Sequence, residues 1–405
     1  MKKIAVILAA ALTAASLFAV DNFTYSSTSF AFIPTGVRSE AMGDTGLADP
    51  GKMESFFRNP SALTDRRFGL QIPTVTVTMY NVANVLSDRN IDWKNITQKE
   101  NLTALGTAMI SNLGKGRSEM LSADAVLGLK VWQLGFATNV HLGLHAFRPT
   151  VQLADQMVIP EVDVAQTVAL ALRVVETGHA RLDIGAAGHF VYKTYMLAQD
   201  ANGIIRKVSE GGSFSDYLNH VPVMGGYAVP FDVGMTLTAF DSLKIAATLN
   251  NINGTYRMNA YGSLLGMTDK LGFSISTGEE HDTDVSASSI TVKTPMTLNL
   301  AVAFKPQAGL FEPCIEADVT DIIGLSENLS FGNLLRHLNL GAEIHLSPVV
   351  ALRAGANAGN LRFGAQLNLW GIQIDASYGW MELGDEWGDK RTDFATIRLN
   401  VGNDR

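Results

Sequence analysis

Along the last third of the chain, apolar and polar residues alternate with a period of two. Leu338, Leu340, Ala342, Ile344 and Leu346 alternate with Asn339, Gly341, Glu343 and His345. Leu361, Phe363, Ala365, Leu367 and Leu369 repeat the pattern against Arg362, Gly364, Gln366 and Asn368, and Ile372, Ile374, Ala376, Tyr378 and Trp380 repeat it against Gln373, Asp375 and Ser377. Successive side chains of a strand point to opposite faces, so each run predicts a strand with one apolar face. Extended over the whole chain, with breaks at Gly, Pro, Asn and Asp clusters, the pattern predicts fourteen strands. They lie near 68–80, 122–132, 133–147, 163–175, 180–196, 226–240, 243–251, 294–304, 312–320, 336–346, 349–357, 360–369, 371–380 and 392–402.

The intervals between these strands carry a second signal. Segments 81–121, 148–162, 197–225, 252–293, 321–335 and 381–391 are long or moderate and follow odd-numbered strands, whereas Asp241-Ser242, Ser347-Pro348 and Trp370-Gly371 are tight and follow even-numbered ones. Only Gly359-Asn360 breaks the rhythm. Long loops at one end and short turns at the other are the build of an outer-membrane barrel. The expected fold class is therefore all-β, a transmembrane antiparallel β-barrel of about fourteen strands with an N-terminal lumen plug.

Composition changes the choice between an ordinary sheet and a lipid-facing barrel. Charged residues make up 17% of the chain, below the usual ~25%, yet no run approaches the ~18 apolar residues of a membrane helix. A barrel resolves this, because lipid-facing residues alternate with lumen residues and never form a long apolar run. Lys2 and Lys3 precede an uncharged apolar stretch, Ile4 to Phe18, ending near Ala19, which predicts a signal peptide over 1–19 and export to the bacterial outer membrane. The expected organisation is then a hatch over 20–67 and a barrel over 68–405. The net charge of -8 argues against nucleic acid as a partner. Cys314 is the only cysteine and forms no internal disulfide.

An Arg or Lys on the lipid face near mid-bilayer costs about 2–4 kcal/mol, so Arg173, Lys193, Lys244, Arg353, Arg362 and Arg398 are expected inside the barrel or near its rims. Tyr80, Phe147, Tyr192, Tyr195 and Trp380 fall at the outer strand ends, and Trp132, Phe240, Phe304 and Trp370 at the inner ends, as aromatic girdles require. Residues 20–67 hold too many aromatics, among them Phe30, Phe32, Phe56 and Phe57, for a disordered tail. Gln98 to Leu113 places Leu102, Leu105, Met109 and Leu113 on one helical side, the pattern of an outer-loop helix capping the mouth. Segment 252–293 carries an apolar patch at Leu264, Leu265 and Met267 and reads as a binding loop or a surface loop.

The run Gly36-Val37-Arg38-Ser39-Glu40-Ala41-Met42-Gly43-Asp44-Thr45-Gly46-Leu47-Ala48-Asp49, followed by Phe56-Phe57-Arg58-Asn59-Pro60-Ser61-Ala62-Leu63, resembles the N-terminal signature of the FadL family. Asp321-Ile322-Ile323, Leu340-Gly341-Ala342-Glu343 and Leu352-Arg353-Ala354-Gly355 are similar to its C-terminal hairpins. The resemblance implies a plugged fourteen-stranded barrel that takes up long-chain fatty acids or other hydrophobic small molecules by passive, hatch-gated diffusion. It implies a hatch motif at Gly43, Gly46, Asn59 and Pro60. It also implies ligand capture between loops 197–225 and 252–293, and exit beside a kinked strand at 133–147, where Gly135 and Gly143 lie.

Candidate ligand-binding residues are Phe30, Phe32, Phe56 and Phe57 as a pocket floor, and Arg353, Arg362 and Arg398 as partners of a carboxylate. The alternatives for the same residues are anchoring of the plug to the wall, and pairing of the arginines with Glu343, Asp375, Asp44 and Asp49. No Gly-x-Ser-x-Gly, His-Glu-x-x-His or phosphate-loop element is present, so neither catalysis nor a cofactor is expected. His141 and His145 share a face, but about 13 Å of strand separates them, too far for one metal. The partners expected are a hydrophobic small molecule and outer-membrane lipid. Alternative readings are a PorV-like barrel that handles a secretion-system protein, and a surface adhesin or structural porin.

Overall fold

The computed structural model describes residues 36–51, 54–65, 68–96, 98–111, 116–148, 157–196, 199–200, 221–272, 285–306, 309–384 and 387–401. The expected signal peptide, Phe30 and Phe32 lie outside the described residues, as do parts of loops 197–225 and 252–293. The described residues form a closed antiparallel barrel of fourteen strands. They are β1 (Phe68–Tyr80), β2 (Gly116–Val131), β3 (Leu134–Arg148), β4 (Met157–Glu176), β5 (Ala180–Met196), β6 (Val223–Ala228 and Phe231–Ala239), β7 (Leu243–Ile252 and Thr255–Tyr261) and β8 (Val285–Lys293 and Thr297–Phe304). β9 (Cys314–Val319), β10 (Leu338–His345), β11 (Val350–Asn357), β12 (Asn360–Leu369), β13 (Ile372–Glu382) and β14 (Arg391–Val401) follow. β14 pairs back onto β1, from Ile72↔Val401 to Tyr80↔Phe394, so the barrel has no free edge.

The two faces are chemically opposite. On β12, Leu361, Phe363 and Leu367 are exposed on the outside while Arg362 is buried inside; on β14, Ile397 and Leu399 are exposed outside while Thr396 and Asn400 are buried inside. An outer face this apolar is one that hydrocarbon covers. Trp132, Phe240 and Trp370 stand at the tight turns with positive φ, and Trp370 is 98% exposed. At the other end, Phe190 stacks on Tyr227 and Tyr378 meets Trp380 edge-on. No helix of the described residues is long and apolar enough to cross a membrane.

β2 to β5 run well past the exposed belt at the long-loop end. On β4 the outward residues Val164, Val168, Leu170 and Leu172 are exposed, but Val158 is buried. The burial comes from the loop between β1 and β2, where α1 (Val82–Ser87) and α2 (Lys99–Ser111) pack Val85, Leu105, Ala108 and Met109 against Leu121, Leu144 and Val158. Val77 and Met79 of β1 join this cluster, and their alternation sets them on the outward face. The expected helix is therefore present, but it sheathes the outside of the tall wall instead of capping the mouth. Apolar strand residues that project above hydrocarbon need cover from water. The expected loop patch behaves alike: α3 (Leu264–Lys270) sets Met267 against Thr194 on the outward side of β5.

Candidate functional site in the barrel lumen

Residues 36–51 and 54–65 lie inside the barrel, and glycines of the wall mark their seat. A Cβ on Gly355 of β11 would fall 2.2 Å from the Met42 carbonyl carbon and 2.3 Å from the Gly43 nitrogen. A Cβ on Gly341 of β10 would meet Met42 O at 2.4 Å, one on Gly364 of β12 Ala41 Cβ at 2.4 Å, and one on Gly185 of β5 the Pro60 carbonyl carbon at 2.4 Å. Gly43 needs to be glycine twice over: its φ is +70°, and a Cβ would lie 2.5 Å from the backbone of Ala356. Backbone thus approaches backbone on opposite sides of the lumen, which side chains would forbid.

Gly135 belongs to the same set. A Cβ there would overlap the Phe56 ring at 1.8 Å. β3 shows no gap beside it: pairing to β4 runs from Leu134↔Leu170 to Phe147↔Met157 without a register shift. Toward β2 the same strand shifts register once, where Glu119 and Leu121 face His145 and Leu144, away from Gly135, whose missing side chain serves close packing. The breaks are in three adjacent strands, at Val229-Pro230 in β6, Asn253-Gly254 in β7 and 294–296 in β8. Asn251 and Asn253 there have φ of 58° and 65°.

A chain of alternating charges ties the inner segment to the wall. It starts at Asp49, whose carboxylate receives Lys244 Nζ at 2.6 Å and Lys305 Nζ at 3.1 Å. Arg38 bridges Asp49 at 3.4 Å and Glu343 at 3.0 Å. Glu343 accepts from Arg353 Nε at 2.6 Å, Arg353 donates to Asp375 at 2.8 Å, and Asp375 pairs with Arg398 at 3.1 Å. Arg398 returns to the inner segment at Glu54, 3.4 Å away. Arg362 meets Asp44 at 2.6 Å. The three candidate arginines therefore all have carboxylate partners, while Asp49 is matched by cations from other positions.

Other contacts were not legible beforehand. Glu316 and Asp318 alternate along β9 and accept backbone N–H groups of four consecutive residues. Asp318 takes Gly46 at 3.0 Å and Leu47 at 3.2 Å, and Glu316 takes Ala48 at 2.7 Å and Asp49 at 3.2 Å. The i, i+2 acids were visible in sequence, but which backbone they meet was not. Asn59 donates to Leu47 O at 2.7 Å and to Thr236 at 3.0 Å, while its carbonyl accepts from Ser61. It joins both halves of the segment to β6.

Phe56 and Phe57 are buried with Leu63, Val126, Ala137, Ala169, Ala171 and Ala187, against the wall. Phe57 also borders a cavity of about 620 Å³ toward the short turns, whose lining includes Lys130, Lys244, Lys305, His345 and Arg398. Above the segment the lumen changes character. Ile159, Val191, Tyr195, Met224, Tyr256, Met258 and Val292 form a buried apolar cluster on β4 to β8. Beside it Lys193 sits between Glu161 at 2.8 Å and Asp163 at 2.5 Å. His145 lies between Glu119 and Glu161, His141 meets Asp124, and His189 meets Asp232. No cluster of three or more metal-ligating side chains occurs among the described residues.

One group of the inner segment titrates near neutrality. Burial pushes the Glu40 carboxyl up to about 7, although Ser377, Thr396 and Arg362 favour its charged form. At low pH it is neutral whether seated or not, and above about 7 it is charged in both states. Seating is accordingly strongest in acid and weakens as pH rises from the ordinary carboxyl range through about 7. Glu40→Gln is expected to flatten the pH dependence of single-channel conductance; an unchanged slope counts against the assignment. Asp49 acts oppositely and outside this window: burial opposes its charge, but Lys244, Lys305 and Arg38 override that and hold it well below the usual range.

No family model matches the chain, and no curated protein matches its sequence. Among solved structures, the Pseudomonas putida toluene transporter TodX is 11% identical, with a TM-score of 0.46 over 92% of this chain and 98% of that one. The Ralstonia pickettii toluene transporter TbuX is 12% identical, with a TM-score of 0.46 over 91% and 98%. A Pseudomonas aeruginosa FadL homologue is 11% identical, with the same score over 91% and 98%. These values record a similar outline and assign no role to any residue of this chain.

Proposed function

We propose that the protein is an outer-membrane channel through which hydrophobic small molecules diffuse passively, with residues 36–65 as its plug. The observation that carries this is the apolar lumen cluster at Val191, Tyr195, Met224, Tyr256, Met258 and Val292. A water-filled pore has a polar interior, so an apolar stretch above a seated plug suits a solute that gains by leaving water. Such a solute gains about 25 cal/mol per Å² of apolar surface buried, so entry needs no energy source.

Arg362 and Arg398 hold the plug at Asp44 and Glu54, and Arg353 is taken up by Glu343 and Asp375 of the wall. With those cations committed, neutral hydrophobic molecules fit the lumen better than long-chain fatty acids, whose carboxylate would have to displace a buried acid. The broken wall at Pro230, Asn253 and Pro295 is the place for a solute to leave sideways once the plug shifts.

The test is uptake of a radiolabelled neutral hydrocarbon, beside a fatty acid, by cells or vesicles that carry the barrel. Val292→Trp places a bulky ring in the apolar cluster and is expected to slow uptake about tenfold, equivalent to ~1.4 kcal/mol on the barrier. Uptake that is unaffected by Val292→Trp, or absent in the parent protein, removes this reading.

A further inference from the structure

The barrel wall is lopsided, and its low side carries bare apolar residues where the tall side carries covered ones. β2, β4 and β5 have 16, 20 and 17 residues, whereas β9 has six and β10 and β11 have eight each. A strand tilted by about 45° needs roughly 9–11 residues to cross the hydrocarbon layer. At ~3.3 Å per residue and that tilt, β9 reaches only about 15 Å of the ~25 Å apolar band. At the short-turn end Phe311, in the turn that precedes β9, is 54% exposed. At the long-loop end β9 passes directly into α4 (Ile322–Glu327) and α5 (Phe331–His337), which lead into β10.

This helix pair differs from the helices on the tall side. α1 to α3 bury Val85, Leu105, Met109 and Met267 against outward strand faces, although Leu86 stays exposed. The pair after β9 leaves Leu329 80% and Phe331 73% exposed, with Ile323 and Leu334 also exposed. Polar contacts fix its underside: Asp321 N donates to Asn299 at 2.8 Å, His337 Nδ1 meets Thr320 O at 2.8 Å, and Arg336 donates to Gly384 O at 3.3 Å. Trp387, anchored by its N–H to Ala358 O at 2.8 Å, flanks the pair at Gly332. The bare residues are thus held on a fixed support at the long-loop end of β9 and β10, whose outward residues Ile315 and Leu340 are also exposed.

We infer that the Ile322–His337 helix pair is a lipid-contact element that lies in the outer leaflet and completes the apolar belt where β9 to β11 fall short. Its occupant is acyl chain at the level of the headgroup boundary, the depth at which short amphipathic helices rest. A wall too short for the bilayer otherwise thins the membrane at a cost for each ångström of mismatch. The inference rests on the reading of the barrel as a membrane protein.

Spin labels on single introduced cysteines test it in phosphatidylcholine bilayers, with Cys314 left in place because it is fully buried. Labels at Leu329→Cys, Phe331→Cys and Leu334→Cys are expected to collide more with dissolved oxygen than with a water-soluble nickel chelate. Glu327→Cys should show the reverse. Leu340→Cys and Phe363→Cys report the belt itself. If these two meet oxygen while positions 329, 331 and 334 meet nickel, or meet neither reagent, the lipid-contact role is overturned and the barrel reading stands. If the two belt positions also meet nickel, the membrane reading falls, and the inference with it.

Discussion

Gly355→Val is expected to unseat the proposed plug and make the barrel conduct ions. The side chain would project from β11 into the lumen, where the built Cβ lies 2.2 Å from the Met42 carbonyl carbon and 2.3 Å from the Gly43 nitrogen. Those are backbone atoms, and they have little freedom to retreat. Gly43 is itself pressed to 2.5 Å of the Ala356 backbone by the same measure, and its φ of +70° fixes the local turn. Overpacking costs about 1–3 kcal/mol where side chains can adjust, and this site belongs at the upper end. Three kcal/mol is roughly a hundredfold change in the ratio of unseated to seated plug. The measurement is single-channel conductance in planar bilayers, with Gly188→Ala as control, since a Cβ on Gly188 meets nothing within 4 Å. Valine suits a strand, so the wall itself should assemble normally. A Gly355→Val barrel that stays as closed as the control would show that the segment does not obstruct the lumen.

The glycine seat also explains how much was legible in the sequence. The alternation located all fourteen strands, because residues facing lipid and residues facing the lumen are chemically opposite and nothing else covers them. It lost the outer ends of the long ones. β2 begins at Gly116 and β4 at Met157, six residues before the alternation starts in each case. There both faces are buried, one by the lumen and the other by loop helices, so the period of two disappears. The strand segments Thr255–Tyr261 and Val285–Lys293 were hidden for a different reason: Arg257, Asn259, Thr291 and Lys293 on their exposed face are polar, so no apolar outer face marks them within what read as one long loop.

The lumen was legible in part. Arg353, Arg362 and Arg398 announced themselves as inward charges, since the lipid face excludes them, and Glu343 and Asp375 followed from the same parity. Asp49 did not reveal that Arg38, Lys244 and Lys305 would gather on it. Those cations come from three distant parts of the chain, and no local pattern records their meeting. Gly135 read either as a weak point of its strand or as a site of tight packing, and the sequence did not say that Phe56 is what lies against it.

Arg38→Met is expected to loosen the same seat through charge. Arg38 is the inner-segment cation that links Asp49 to Glu343 of the wall: it grips Glu343 with Nε at 3.1 Å and Nη2 at 3.0 Å, and Asp49 with Nη1 to the carbonyl at 2.7 Å. Removing one partner of a buried ion pair costs about 3–5 kcal/mol, because the other charge stays buried and uncompensated. Here Glu343 keeps Arg353, and Asp49 keeps Lys244 and Lys305, which places the loss near the low end. About 3 kcal/mol again raises the unseated fraction roughly a hundredfold. Arg38→Lys restores the charge without the planar fork, so it should recover part of the loss and not all of it. Glu343→Gln removes the acid that Arg38 and Arg353 share. In the double variant with Arg38→Met its effect should be smaller than alone, since the acid it neutralises is then less well compensated. Conductance measured on the four members of that cycle decides the matter, and strictly additive effects would mean that Arg38 and Glu343 do not act as a pair.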